Sequence, residues 1–151
     1  MPPRYQHTQI GYTLLGIVLP IGLLSLTPPL LFLDDLGVGF WLSVGVLGVT
    51  AGLFGSLTVR VADGRLVWYF GPWFWRNAIP TDEIEEVETV QTSISHGWGI
   101  RQLREGWLYN VSGFDAVKVE TSKGSTVLIG TDEPNRLASV LASEAEGNVR
   151  A

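Results

Sequence analysis

The sequence predicts a two-helix transmembrane hairpin followed by an all-β domain, a small bent barrel closed by a C-terminal helix. Three observations carry that expectation. Ile10 to Leu33 and Leu36 to Val59, about 24 residues each, contain no Asp, Glu, Lys, Arg or His, and only Asp34 and Asp35 separate them. A helix of that length is roughly 36 Å long, enough to cross a hydrocarbon core of roughly 30 Å. From Arg60 onward the chain turns into short apolar runs punctuated by turn residues, and it ends in a stripe, Leu137, Val140 and Leu141, at helical spacing.

The resulting organisation is a short tail over 1–9, the hairpin over 10–59, a cytoplasmic domain over 60–146 and a second tail over 147–151. In the first span Pro20 predicts a kink and Pro28-Pro29 the end of the regular helix. In the second span Gly45, Gly48, Gly52 and Gly55 recur at spacings of 3, 4 and 3 and so share one helical face. Such a face admits the close approach of the first span, of a second copy or of a foreign helix. Neither span holds an ionisable residue, which argues against an ion or proton pathway. Arg4 precedes the first span, while Arg60, Arg65 and Arg76 follow the second. The positive-inside bias then predicts a multi-pass protein of the cell membrane with both termini cytoplasmic.

Composition excludes several function classes. The chain has no cysteine, so disulfides, thiolate metal sites and cysteine nucleophiles are absent. Beyond the hairpin it carries 9 basic and 13 acidic side chains. That acidic balance disfavours a nucleic-acid partner. His7 and His96 are too few and too far apart in sequence to predict a metal site. No G-x-S-x-G, P-loop or G-x-G-x-x-G pattern is present, so neither catalysis nor a cofactor is expected.

In the β domain, Leu57 to Val61 and Leu66 to Phe70 read as strands joined by an Ala62-Asp63-Gly64 turn, and Gly71-Pro72 turns into a third strand from Trp73 to Ile79. Trp68 to Trp75 places six aromatics in eight residues, with apolar side chains on both faces of the strand. One face enters the core. The other is either covered as well or, through Trp73, Phe74 and Trp75, touches a membrane interface, where such rings are favoured. Ile84 and Val87 among Asp82, Glu83, Glu85 and Glu86 suggest one amphipathic turn with a solvated acidic face. Strands follow at Val87 to Thr92, Gly106 to Val111, Ala116 to Thr121 and Thr126 to Gly130. Thr131 or Asp132 caps the last helix. His96, Trp98, Arg101 and Arg104 form a candidate partner-binding loop, since arginine grips carboxylates and other anions bidentately. Alternatively, Trp98 and Ile100 simply anchor that loop to the core.

Four blocks in this order resemble the small membrane-anchored bacterial and archaeal PH-like (pleckstrin-homology-like) domain proteins. They are Trp75-Arg76-Asn77-Ala78-Ile79-Pro80, His96-Gly97-Trp98-Gly99-Ile100-Arg101, Gly106-Trp107-Leu108-Tyr109-Asn110-Val111-Ser112-Gly113 and Ile129-Gly130-Thr131-Asp132-Glu133-Pro134. The similarity covers about Leu57 to Ala142. It implies a seven-stranded PH-like barrel capped by a helix, with a binding role and no catalysis, and names no ligand. The first hairpin has only Arg60 and Arg65, with Asp63 between them, which sets inositol-phosphate recognition aside. The functional expectation is a non-enzymatic integral membrane protein whose PH-like domain binds a protein partner or a second copy beside the bilayer. The alternative is a lipid sensor of the membrane surface that uses the aromatic hairpin.

Overall fold

The computed structural model describes residues 3–31, 38–93 and 97–149. The chain opens with β1 (Tyr5–Ile10), α1 (Tyr12–Leu31) and α2 (Val38–Phe54). Strands β2 (Ser56–Ala62), β3 (Arg65–Phe70) and β4 (Phe74–Pro80) follow, then a short 3-10 turn at Thr81–Glu83. The remaining elements are β5 (Ile84–Gln91), β6 (Gly99–Gln102), β7 (Trp107–Asn110), β8 (Asp115–Thr121), β9 (Thr126–Gly130) and α3 (Pro134–Val149). One sheet has the order β1-β2-β3-β4, the other β5-β8-β9-β7-β6. All pairs are antiparallel except β7 with β9.

Alternation decides which side chains enter the core. Leu57, Val59 and Val61 of β2 and Leu66, Trp68 and Phe70 of β3 face inward and are buried. They meet Tyr109, Val117, Val119, Val127 and Ile129 of the second sheet. Leu137 and Leu141, one helical turn apart, close the cluster from α3, with Val140 beside them. The Thr131 hydroxyl accepts from the Glu133 amide at 3.1 Å and fixes the turn that leads into that helix. The β2–β3 turn consists of Asp63 and Gly64, both with positive φ (52° and 67°), as a two-residue hairpin loop requires.

The transmembrane hairpin expected from the sequence is overturned. Among the described residues no helix is long and apolar enough to cross a membrane. Helix α2 has 17 residues, about 26 Å at 1.5 Å per residue. The uncharged run that carried it on to Val59 changes at Gly55 from helix to strand, and Leu57 to Val59 are buried inside a sheet. At the other end Ile10 closes β1, so α1 starts only at Tyr12, and its length takes in Pro20, Pro28 and Pro29. A charge-free run marks apolar surroundings, which the interior of a sheet supplies as well as a bilayer does. The assignment to a multi-pass membrane protein with cytoplasmic termini falls with the hairpin. The turn at Asp34 and Asp35 lies outside the described residues.

A single barrel of seven strands is likewise replaced, by nine strands in two sheets among the described residues. The added strands are β1 and β6. Tyr5 to Gln9 reads as part of a polar tail because only Tyr5 enters the hydrophobic core and the other attachments are polar. His7 Nε2 lies 2.6 Å from Asp132, the Gln9 amide donates to the Ser112 carbonyl at 3.0 Å, and the Thr8 and Thr58 hydroxyls pair at 2.9 Å.

Candidate functional site: an aromatic rim and an arginine pocket

The β3–β4 turn is built against the end of α2. The Gly71 amide donates to the Ser56 carbonyl at 2.9 Å, and a side chain at Gly71 would strike the backbone carbonyls of Gly52 and Leu53. Phe54, at the end of α2, meets the rings of Phe70 and Phe74 at 5.8 and 5.6 Å. Phe74 is thus half-buried as part of the joint between sheet and helix, while Trp73 and Trp75 point away and remain 61 % and 53 % exposed. Both tryptophans adopt positive φ (72° and 50°). Bulky residues occupy that region only where the surroundings enforce it, and such strain gathers at functional sites.

Each tryptophan has a different hold on the fold. The Trp73 ring stacks on Tyr69 at 5.0 Å and 8°, and the Arg76 guanidinium lies 5.3 Å from its centroid. Burial pushes the Tyr109 phenol up, and Trp75 is the polar neighbour that opposes that shift. Above this rim the helical pair exposes Trp41, Leu42, Val46 and Val49 on α2 and Ile17, Ile21 and Leu23 on α1. Val49 lies one helical turn before the Gly52-Leu53 backbone that receives Gly71, which makes the aromatic turn a neighbour of the exposed apolar flank.

Beside Trp73 the outer face of the first sheet forms a pocket of about 240 Å³, lined by Gln6, Arg60, Ala62, Asp63, Arg65, Val67, Tyr69, Trp73 and Arg76. Register explains the convergence. With Leu66, Trp68 and Phe70 inward, Arg65, Val67 and Tyr69 must point outward, and Arg60 pairs with Val67 across β2 and β3. Arg60 Nε is buried without a hydrogen-bond partner. None of the ion pairs among the described residues involves Arg60, Arg65 or Arg76.

Of the four residues expected to form a partner-binding loop, the three that are described have separate neighbours. His96 lies outside the described residues. The Trp98 indole donates to the Gly113 carbonyl at 3.2 Å and its ring lies 6.1 Å from Phe114, so it ties the β5–β6 connection to the β7–β8 loop. Arg101 folds back over Gly97, whose added Cβ would lie 2.9 Å from the guanidinium carbon. Arg104 instead lines a separate groove of about 620 Å³ with Val90, Gln91, Thr92, Gln102, Leu103, Glu105 and Leu128.

The glycine face is also used differently from its sequence pattern. A Cβ on Gly45, Gly48 or Gly52 would meet nothing within 4 Å, and one on Gly55, just past the end of α2, would strike the Ala51 carbonyl. The close approach between α1 and α2 falls at Gly22, whose place is filled by the Leu47 side chain. One bulky residue entering the notch left by a glycine on the facing helix brings the pair together without a glycine repeat.

Sequence reasoning missed the arginine pocket. Its signal was the outward parity of Arg60, Arg65 and Tyr69, which follows once Leu66, Trp68 and Phe70 are assigned to the core. No protein-family model, curated protein or solved structure matches the chain.

Proposed function

We propose that this protein is a non-enzymatic binding module that docks on a lipid surface through the Trp73–Trp75 rim and the exposed apolar flank of α1 and α2. The reading asks no helix to cross a bilayer. It keeps the binding role that the PH-like resemblance implies. The observation that carries it is the exposure of Trp73 on a strained turn held against the end of α2, beside a run of exposed apolar side chains. Contiguous apolar surface with aromatic edges is characteristic of membrane and protein contact, and indole rings favour the boundary between headgroups and acyl chains.

The test is flotation of the full chain with phosphatidylcholine vesicles, comparing wild type with Trp73→Ser. Withdrawing about 100 Å² of ring surface from water at ~25 cal/mol/Å² stabilises the bound state by about 2.5 kcal/mol, so the variant should bind roughly 60-fold more weakly. Equal binding by the variant, or no binding by wild type, would refute the reading.

A second reading, attachment of a protein partner, is favoured by a different observation. β6 is an edge of the second sheet, and the groove containing Arg104 opens beside it. A partner strand adding to that edge would shield the amides of β6 and leave Trp73 untouched.

A further inference from the structure

We infer that the pocket between Arg60, Arg65, Arg76 and Trp73 binds the phosphodiester headgroup of an anionic phospholipid. The inference rests on the lipid-docking reading and names the lipid. Three guanidinium groups face one carboxylate, Asp63, in a pocket of about 240 Å³. Arginine's planar fork suits two phosphate oxygens at once, and the buried, unpartnered Nε of Arg60 supplies a donor that solvent does not satisfy. Val67 is buried although it points outward, so the pocket has an apolar floor beneath its charged rim.

Position selects a lipid over a free phosphate ester. Trp73 is both a wall of the pocket and the exposed edge of the docking rim, and Arg76 covers its ring. Val67, opposite Arg60, is three residues from Phe70 at the turn, about 10 Å along the strand. With the rim at the acyl boundary, Arg60 lies at the depth of the phosphates, and Arg76, over the Trp73 ring, lies between the rim and Arg60. The acidic character of the chain as a whole does not oppose this, because exposed charges farther away than a Debye length of about 8 Å are largely screened at physiological salt.

The experiment compares vesicles of phosphatidylcholine alone with vesicles containing phosphatidylglycerol, using the full chain. Wild type should prefer the anionic vesicles. Arg60→Gln/Arg65→Gln should lose that preference by about fivefold per arginine, roughly 25-fold for the pair, while still binding phosphatidylcholine through the rim. Asp63→Asn should move the other way, a gain that a folding defect would not produce. Retained preference in the double variant, or equal wild-type binding to both vesicles, overturns the inference and leaves docking intact. Binding to neither vesicle overturns both. Saturable binding of glycerol 3-phosphate without preference for anionic vesicles overturns the lipid source in favour of a soluble phosphate ester.

Discussion

Replacing Gly71 with alanine should unfasten the aromatic turn from the helical pair. Gly71 has φ +45°, a conformation that costs an L-residue about 1–2 kcal/mol. The added methyl would also fall against the Gly52 carbonyl oxygen and within 2.9 Å of the Leu53 carbonyl oxygen. Backbone cannot rotate away as a side chain can, and overpacking of this kind costs about 1–3 kcal/mol. The two contributions predict a loss of roughly 2–5 kcal/mol in urea-induced unfolding followed by circular dichroism. Gly48→Ala provides the contrast: its methyl meets nothing within 4 Å, and the gain in helix propensity should stabilise by up to about 1 kcal/mol. If Gly71→Ala unfolded like wild type, the turn would not be lodged against α2, and the continuity between the rim and the apolar flank would fail.

Other perturbations probe the rest of the frame. Thr131→Ala removes the acceptor of the buried turn's Glu133 amide and should cost about 1 kcal/mol in the same assay; a cost near zero would mean that this turn does not need the bond. Burial raises the Tyr109 and Tyr5 phenols above their ordinary value of 10.0. The folded chain therefore holds these protons at a pH where the unfolded chain has released them. Stability from this source is fully present below pH 10.0 and falls as pH rises through the folded values. Denaturation midpoints at about pH 9 and about pH 11 should show the fall, smaller in Tyr109→Phe, whereas identical slopes for variant and wild type would contradict the assignment to Tyr109.

Local signals were legible wherever a few consecutive residues decided the structure. The Asp63-Gly64 turn follows from residues that tolerate positive φ, and α3 from the spacing of Leu137, Val140 and Leu141. The hairpin failed because an uncharged run does not say where helix gives way to strand: Leu57 to Val59 are as free of charge as α2, yet they belong to a sheet interior. β1 escaped notice because Tyr5 is its one side chain in the hydrophobic core and its other attachments run through His7, Thr8 and Gln9, which leave no hydrophobic period. The aromatic rim was visible as composition, but the separate settings of Trp73, exposed and stacked on Tyr69, and Trp75, beside Tyr109, depend on tertiary neighbours. Arg76 joined Arg60 and Arg65 only through the pairing of β3 with β4 and the irregular register between Trp68 and Phe70.

Hydrogen–deuterium exchange of the full chain, with and without vesicles containing phosphatidylglycerol, tests lipid docking most directly. Slower exchange at residues 71–76 and along α2, with unchanged exchange at the β8–β9 turn around Lys123 and at β6, is the predicted result. Unchanged exchange at residues 71–76 in the presence of saturating vesicles would contradict the account.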